Sequence, residues 1–133
     1  MSNTKNQTKD QTISIVFGIP NCDQIKKTRV WLTAHAVPYE FHDVKKSPLQ
    51  RAVIESWLKT VPWEVLVNRK GTTWRGLSEA GKAAVTDADS AIELMLASPS
   101  VIKRPVLLMT DANGAPHCTV GFSEESYQQL FPT

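Results

Sequence analysis

The residues with the most chemistry to offer are one cysteine and a few basic side chains. Cys22 stands in ISIVFGIPNCDQIKKTRVWL, where an apolar run ends in Gly18 and Pro20 and a helix-forming stretch follows. A thiol at a helix N-terminus faces unsatisfied backbone N–H groups and the positive end of the macrodipole, and both favour S⁻ over SH. Such placement pulls a cysteine pKa from about 8.5 to well below neutral. Lys26, one turn on, brings a positive charge near the sulfur, whereas Asp23 opposes it at close range. Cysteine is also among the most buried residue types and often fills a core inertly. Residue type alone therefore leaves Cys22 open between a working thiolate and a small hydrophobe at a turn. The second cysteine, Cys118, lies far along the chain with no CxxC spacing. The two are not a disulfide framework, Cys118 reads as structural, and a reducing, cytoplasmic setting is expected.

The elements that must position Cys22 follow from apolar periodicity. Ile13 to Ile19 reads as a buried strand ended by Gly-Ile-Pro, and Asp23 to Ala36 as a helix with Ile25, Arg29, Leu32 and Ala36 near one face. VPYEFHDV reads as a second strand, Tyr39, Phe41 and Asp43 alternating with Glu40 and His42. One helix between two strands makes a βαβ unit with parallel strands. SPLQRAVIESWLKT predicts a helix capped by Ser47 with Pro48 at its first position. From about 62 to 98 the pattern gives two or three short helices, the last capped by Asp87 or Asp89. Val106 to Met109 and His117 to Val120 form a hairpin around Asp-Ala-Asn-Gly. Ser123 then caps a closing helix with Tyr127, Leu130 and Phe131 inward.

The order β-α-β-α, helical insert, β-β-α is that of a thioredoxin-like α/β fold. The expectation is one domain over 13–133, a four-stranded mixed sheet with a helical subdomain inserted at about 62–98. The polar stretch Met1–Thr12 lacks an apolar segment of the kind a secretory signal needs and is expected to be a disordered tail. The chain has 133 residues, 41% hydrophobic and 21% charged, with a net charge of +2. That charge is too small to argue for direct nucleic-acid binding or an anionic membrane surface. No apolar run approaches the ~20 residues of a membrane span.

Arg104, in VIKRPVLLM, is the second candidate. In thioredoxin-like folds the proline opening this strand is cis and faces the cysteine loop, which makes Pro105 a cis-proline candidate and turns Arg104 toward Cys22. A guanidinium there holds an oxyanion or carboxylate with two parallel N–H donors; the plainer alternative is an exposed arginine at a strand start. Arg69 and Arg75, in VNRKGTTWRGL, are either solvated surface or, with Lys70, the lining of an anion pocket. His42 reads as an ordinary strand residue. His117 and Cys118 are adjacent in a strand and so face opposite sides, which rules them out as a catalytic pair. No metal site is expected, since the three histidines and two cysteines are scattered without ligand spacing.

With these residues in view, FGIPNCDQIKKTRVWL and LVNRKGTTWRGL resemble the YGI-x-NCDTIKKA-x-WL opening and the LNxRGTTWR block of the YffB-like branch of the arsenate reductase (ArsC) superfamily, which also contains the Spx transcription regulators. The likeness runs from Ile13 to Phe131, with RPV and VGF in order. It implies an enzyme, a glutathione-dependent thiol reductase: Cys22 attacks a disulfide or small oxyanion substrate, and glutathione, as co-substrate rather than bound cofactor, resolves the adduct. It further implies that Arg69 and Arg104 are the first and second anion-binding arginines, holding either the substrate or the carboxylates of glutathione. Glutathione-linked arsenate reductases carry a third arginine where this chain has HCTVGF. Losing one of three cationic donors around an oxyanion costs a few kcal/mol of transition-state stabilisation, so efficient arsenate reduction is not expected. Spx proteins use CxxC as a redox switch, and here the third position after Cys22 is Ile25. The alternative is an Spx-like regulator that binds RNA polymerase without catalysis. A monomer with no membrane partner is expected in either case.

Overall fold

A computed structural model describes residues 13–132, so the expected tail at 1–12 lies outside the described residues. The chain divides into two compact units: a sheet unit, made of the described residues up to Asp43 and from Arg104 onward, and a helical unit, Val44–Lys103.

The sheet unit contains β1 (Ile13–Gly18), α1 (Asp23–Ala34), β2 (Glu40–Asp43), β3 (Val106–Thr110), β4 (Pro116–Val120) and α7 (Glu124–Leu130). Strand order is β2-β1-β3-β4. β1 pairs parallel with β2, Val16 opposite Phe41, and antiparallel with β3, Val16 opposite Leu107; β3 pairs antiparallel with β4, Leu108 opposite Cys118. This is the mixed four-stranded sheet that the element order predicts. The central strands β1 and β3 carry the apolar runs because neighbours flank them on both sides. The edge strands are short and mostly half-buried.

One core cluster holds the unit together: Val16, Ile25, Trp31, Leu32, Leu107 and Tyr127, with Cys22, Phe41 and Phe122 packed against it. α1 buries Ile25, Thr28, Trp31 and Leu32, one stripe of a helix. Arg29 and Ala36, expected on that stripe, are exposed instead. Thr28 takes the inward place, its hydroxyl donating to the Gln24 carbonyl at 2.7 Å, while the Arg29 guanidinium lies 4.7 Å from the centre of the Phe41 ring. α1 also stops at Ala34 rather than Ala36. Ala36 adopts φ 56° and Val37 N–H reaches back to the Leu32 carbonyl at 2.9 Å, a left-handed helix ending with Pro38 two residues beyond.

The helical unit contains α2 (Arg51–Leu58), α3 (Trp63–Leu66), α4 (Thr72–Arg75), α5 (Glu79–Ala83), α6 (Ala88–Ala97) and a 3₁₀ turn, Pro99–Val101. It takes in the helix that the sequence placed ahead of the insert, so it is larger than 62–98. That helix begins at Arg51 with Gln50 as cap residue, not at Ser47 and Pro48: Leu49 is buried and the chain stays extended through Gln50 to seat it. Four helices, rather than two or three, occupy the span between Pro62 and Ser98. Asp87 caps α6 with a reciprocal pair of hydrogen bonds to Ser90. Ile54, Trp57, Leu66, Ile92 and Met95 are buried within the unit.

Candidate functional site

The site begins with a close approach. A Cβ on Gly18 would collide with the side chain of Ile25, so glycine ends β1 where α1 folds back onto it. Residues 19–21 turn the chain, and Cys22 becomes the residue immediately before α1, extended at φ −141° and ψ 128°. The sulfur makes no close capping bond, but the N–H groups of Gln24 and Ile25 face it and the Arg104 side chain hydrogen-bonds it. These N–H groups belong to the second and third helical residues, the pair that a cap side chain serves.

Two influences oppose each other at the sulfur. Partial burial pushes the thiol up. The Ile25 N–H, the Arg104 guanidinium and the Gln24 N–H pull it down, and together they win: the Cys22 thiol sits below the ordinary thiol value. The setting of this half-buried cysteine thus favours S⁻ more than an ordinary thiol's does.

Arg104 is the first residue of the sheet unit after the helical unit. The Arg104–Pro105 bond is cis, Pro105 is buried, and its carbonyl accepts the Gly121 N–H at 2.8 Å. Arg104 and Cys22 meet although they are far apart in sequence. Lys26 is exposed on the first turn of α1, its N–H donating to the Cys22 carbonyl at 3.0 Å; its ammonium is not among the groups that hold the sulfur.

The remaining candidates resolve individually. Arg69 stays in the helical unit, its guanidinium 5.2 Å from the Trp63 ring centre and 5.9 Å from that of Trp74, a cation held on aromatic faces. Arg75 is a staple: its Nε and Nη2 both donate to the Lys70 carbonyl, at 3.1 and 2.6 Å, closing the turn through Gly71. His42 lies in β2 with its ring 5.1 Å from that of Phe17. Cys118 is in mid-β4, and burial pushes its thiol up to about 12. His117, on the opposite side of the strand, meets Asp111 Oδ2 through Nε2 at 3.0 Å. Asp111 also accepts the N–H groups of Asn113 and Ala115 through Oδ1, and its carboxyl is held below the usual range, His117 being the largest cause. Sequence reading missed this pair because it pairs residues across a turn. It also missed Gln24 and Ile25, which serve the sulfur through backbone atoms that every residue type carries. Among the described residues no group of His, Cys, Asp and Glu is arranged to hold a metal, and no helix is long and apolar enough to cross a membrane.

The model of the ArsC family matches residues 17–130. An uncharacterized protein of Haemophilus influenzae is 34% identical over 116 residues, spanning 87% of this chain and 96% of its own. The global transcriptional regulator Spx of Streptococcus agalactiae is 25% identical over 119 residues, covering 88% of this chain and 82% of that one. Among solved structures, the YFFB protein superposes with a TM-score of 0.78 at 44% identity, covering 87% of this chain and 96% of that one. An arsenate reductase (ArsC) related protein from Brucella melitensis superposes with a TM-score of 0.65 at 46% identity, covering 91% and 96%.

Proposed function

The chain belongs to the ArsC family, and on that premise we propose that it is a glutathione-dependent thiol reductase working through the single nucleophile Cys22. The observation that carries this reading is the sulfur's setting: two helix N–H groups and the Arg104 guanidinium outweigh burial and favour the thiolate. The thiolate attacks one sulfur of a disulfide; a new S–S bond forms to Cys22, the old one breaks, and the departing thiolate leaves with the electron pair and takes a proton from water. A glutathione thiolate then attacks the adduct and releases Cys22 as S⁻. Resolution falls to an outside thiol because Cys118, the other cysteine, is kept protonated by burial. A reducing compartment, the cytoplasm, suits a free thiolate.

Arg104 then has two duties, holding the resting sulfur and receiving an anionic group of the incoming molecule. By motif Arg69 matches the family's first anion-binding arginine and Arg104 the second, with a small oxyanion or a carboxylate of glutathione as ligand. The test is turnover of a disulfide or an oxyanion by the purified protein with glutathione as reductant. Cys22→Ser should abolish turnover, and Arg104→Ala should lower it by about tenfold or more, the worth of a charge-assisted hydrogen bond. Unchanged turnover in Cys22→Ser would sink the reading.

A second reading is favoured by the Spx relatives: a regulator that binds RNA polymerase and does no chemistry. Binding to purified RNA polymerase that survives Cys22→Ser, alongside no glutathione-dependent turnover, would select it.

A further inference from the structure

β1 and β4 both run antiparallel to β3, so they run parallel to each other and end at the same edge of the sheet. α1 and α7 therefore both begin at that edge. Between them lies an open groove of about 760 Å³, in the range of sites that take a sizeable ligand. It starts at Gln24, whose N–H faces the Cys22 sulfur, and at Phe122, next to the Gly121 that hydrogen-bonds Pro105. One end thus comes within two residues of Cys22 along the chain, although Cys22 itself does not line the groove.

The lining has two parts. Lys26 and Lys27 stand on the α1 wall, with Glu124 as the single carboxylate and a surplus of positive charge. Val30, Trp31, Ala34 and Phe122 supply an apolar wall, and Val30 is 68% exposed. At the far end His35 stacks on Trp31 with ring centres 3.8 Å apart, giving a flat, rigid surface. Glutathione carries carboxylates but no apolar body that would cover this wall. A polypeptide segment with acidic residues beside a large apolar one matches both parts.

We propose that the α1–α7 groove docks such a segment of a protein substrate, an acidic and apolar stretch next to its oxidised cysteine, and so presents that cysteine to Cys22. This rests on the reading of Cys22 as the reactive thiolate and names the substrate class for it. The reaction is disulfide exchange: Cys22 S⁻ attacks the docked peptide's sulfur, the Cys22–peptide S–S bond forms, the existing S–S bond breaks, and the other sulfur leaves as a thiolate with the electron pair and takes a proton from water.

The test uses the full chain and two synthetic peptides, each with one cysteine as its mixed disulfide with thionitrobenzoate. One carries glutamates and a phenylalanine near the cysteine, and the other has lysines in place of the glutamates. Release of thionitrobenzoate reports the rate. The acidic peptide should react about tenfold faster, the size of one good charge contact together with apolar burial. Val30→Glu and Lys27→Glu, both at exposed positions, should each shrink that ratio, and added salt should reduce its charge-dependent share. A ratio near one in the unaltered protein, or one that survives both substitutions, overturns the groove while leaving the thiolate in place provided that glutathione disulfide still modifies Cys22. Failure of Cys22 to react with any of these disulfides overturns the underlying reading, and the groove with it.

Discussion

Cys22 and Cys118 are the same side chain in the same compact unit, both half-buried, and they are driven in opposite directions. Cys118 feels burial alone, and its thiol is pushed up to about 12. Cys22 feels burial too, as its largest single influence, yet ends below the ordinary value because three donors converge on it. Desolvation is common to both, so the difference lies in what fills the space beside the sulfur. Strand N–H groups lie in the plane of the sheet, away from the side chains, so Cys118, opposite Leu108, has burial alone acting on its sulfur. A helix start has N–H groups left over.

The largest effect expected from this contrast is in alkylation. At pH 7 Cys118, pushed up to about 12, is almost wholly protonated, whereas Cys22, held below the ordinary thiol value, carries the larger thiolate fraction. A thiolate of lower pKa is intrinsically less nucleophilic, but the gain in thiolate fraction outweighs that loss, so Cys22 should be alkylated faster by about tenfold or more. Peptide mass spectrometry after brief iodoacetamide treatment reads the ratio, and equal labelling would break the comparison.

Removing Arg104 comes next. In Arg104→Ala the burial that raises the thiol persists while a hydrogen bond and a positive charge are lost, so the midpoint of Cys22 alkylation against pH should move upward. The rate at pH 7 should fall on the order of tenfold. Arg104→Lys should restore part of it, since the charge returns without the planar fork.

Stability against pH should separate the two thiols by sign. Cys118 binds its proton more tightly folded than unfolded, so its contribution is intact below about pH 9 and is lost as pH rises toward about 12, by up to about 1.4 kcal/mol per pH unit. Cys22, with its folded value lowered, does the reverse: its contribution is present above the unfolded thiol value and is lost as pH falls through the folded one. Cys118→Ala should therefore flatten the alkaline limb of a denaturant-midpoint series between pH 9 and 10.5, and Cys22→Ser should not. The smallest effect expected is none at all: Lys26→Ala should leave the Cys22 alkylation midpoint in place, because the donors are Ile25, Arg104 and Gln24. A clear upward shift would mean that the Lys26 ammonium reaches the sulfur in solution.

What could be read in advance follows the same division between local and distant causes. The strand, turn, cysteine and helix order was legible because Gly18, Pro20 and the spacing of Ile25 and Leu32 are local signals. The mixed sheet followed from element order, and the Asp-Ala-Asn-Gly turn announced the hairpin. Element ends were less legible. Ser47 and Pro48 carry a strong start signal, but burial of Leu49 overrides it and moves the helix start to Arg51. The α1 stripe gave Arg29 where Thr28 belongs, because a threonine that satisfies its own hydroxyl on the Gln24 carbonyl can be buried. Arg75, by type, looked like an anion ligand as much as Arg69 did. Only coordinates show its donors on the Lys70 carbonyl.

Gly18 touches no sulfur and would be passed over in a search for catalytic residues. Yet Ile25 fills the space where any other side chain would begin, and the N–H of that same Ile25 faces Cys22. The strand end and the first turn of the helix are thus packed against each other through the Ile25 side chain. Thiol acidity in this molecule is inherited from a packing dimension, and a single methyl group added at Gly18 would be read out as a change in chemistry at a residue four positions away.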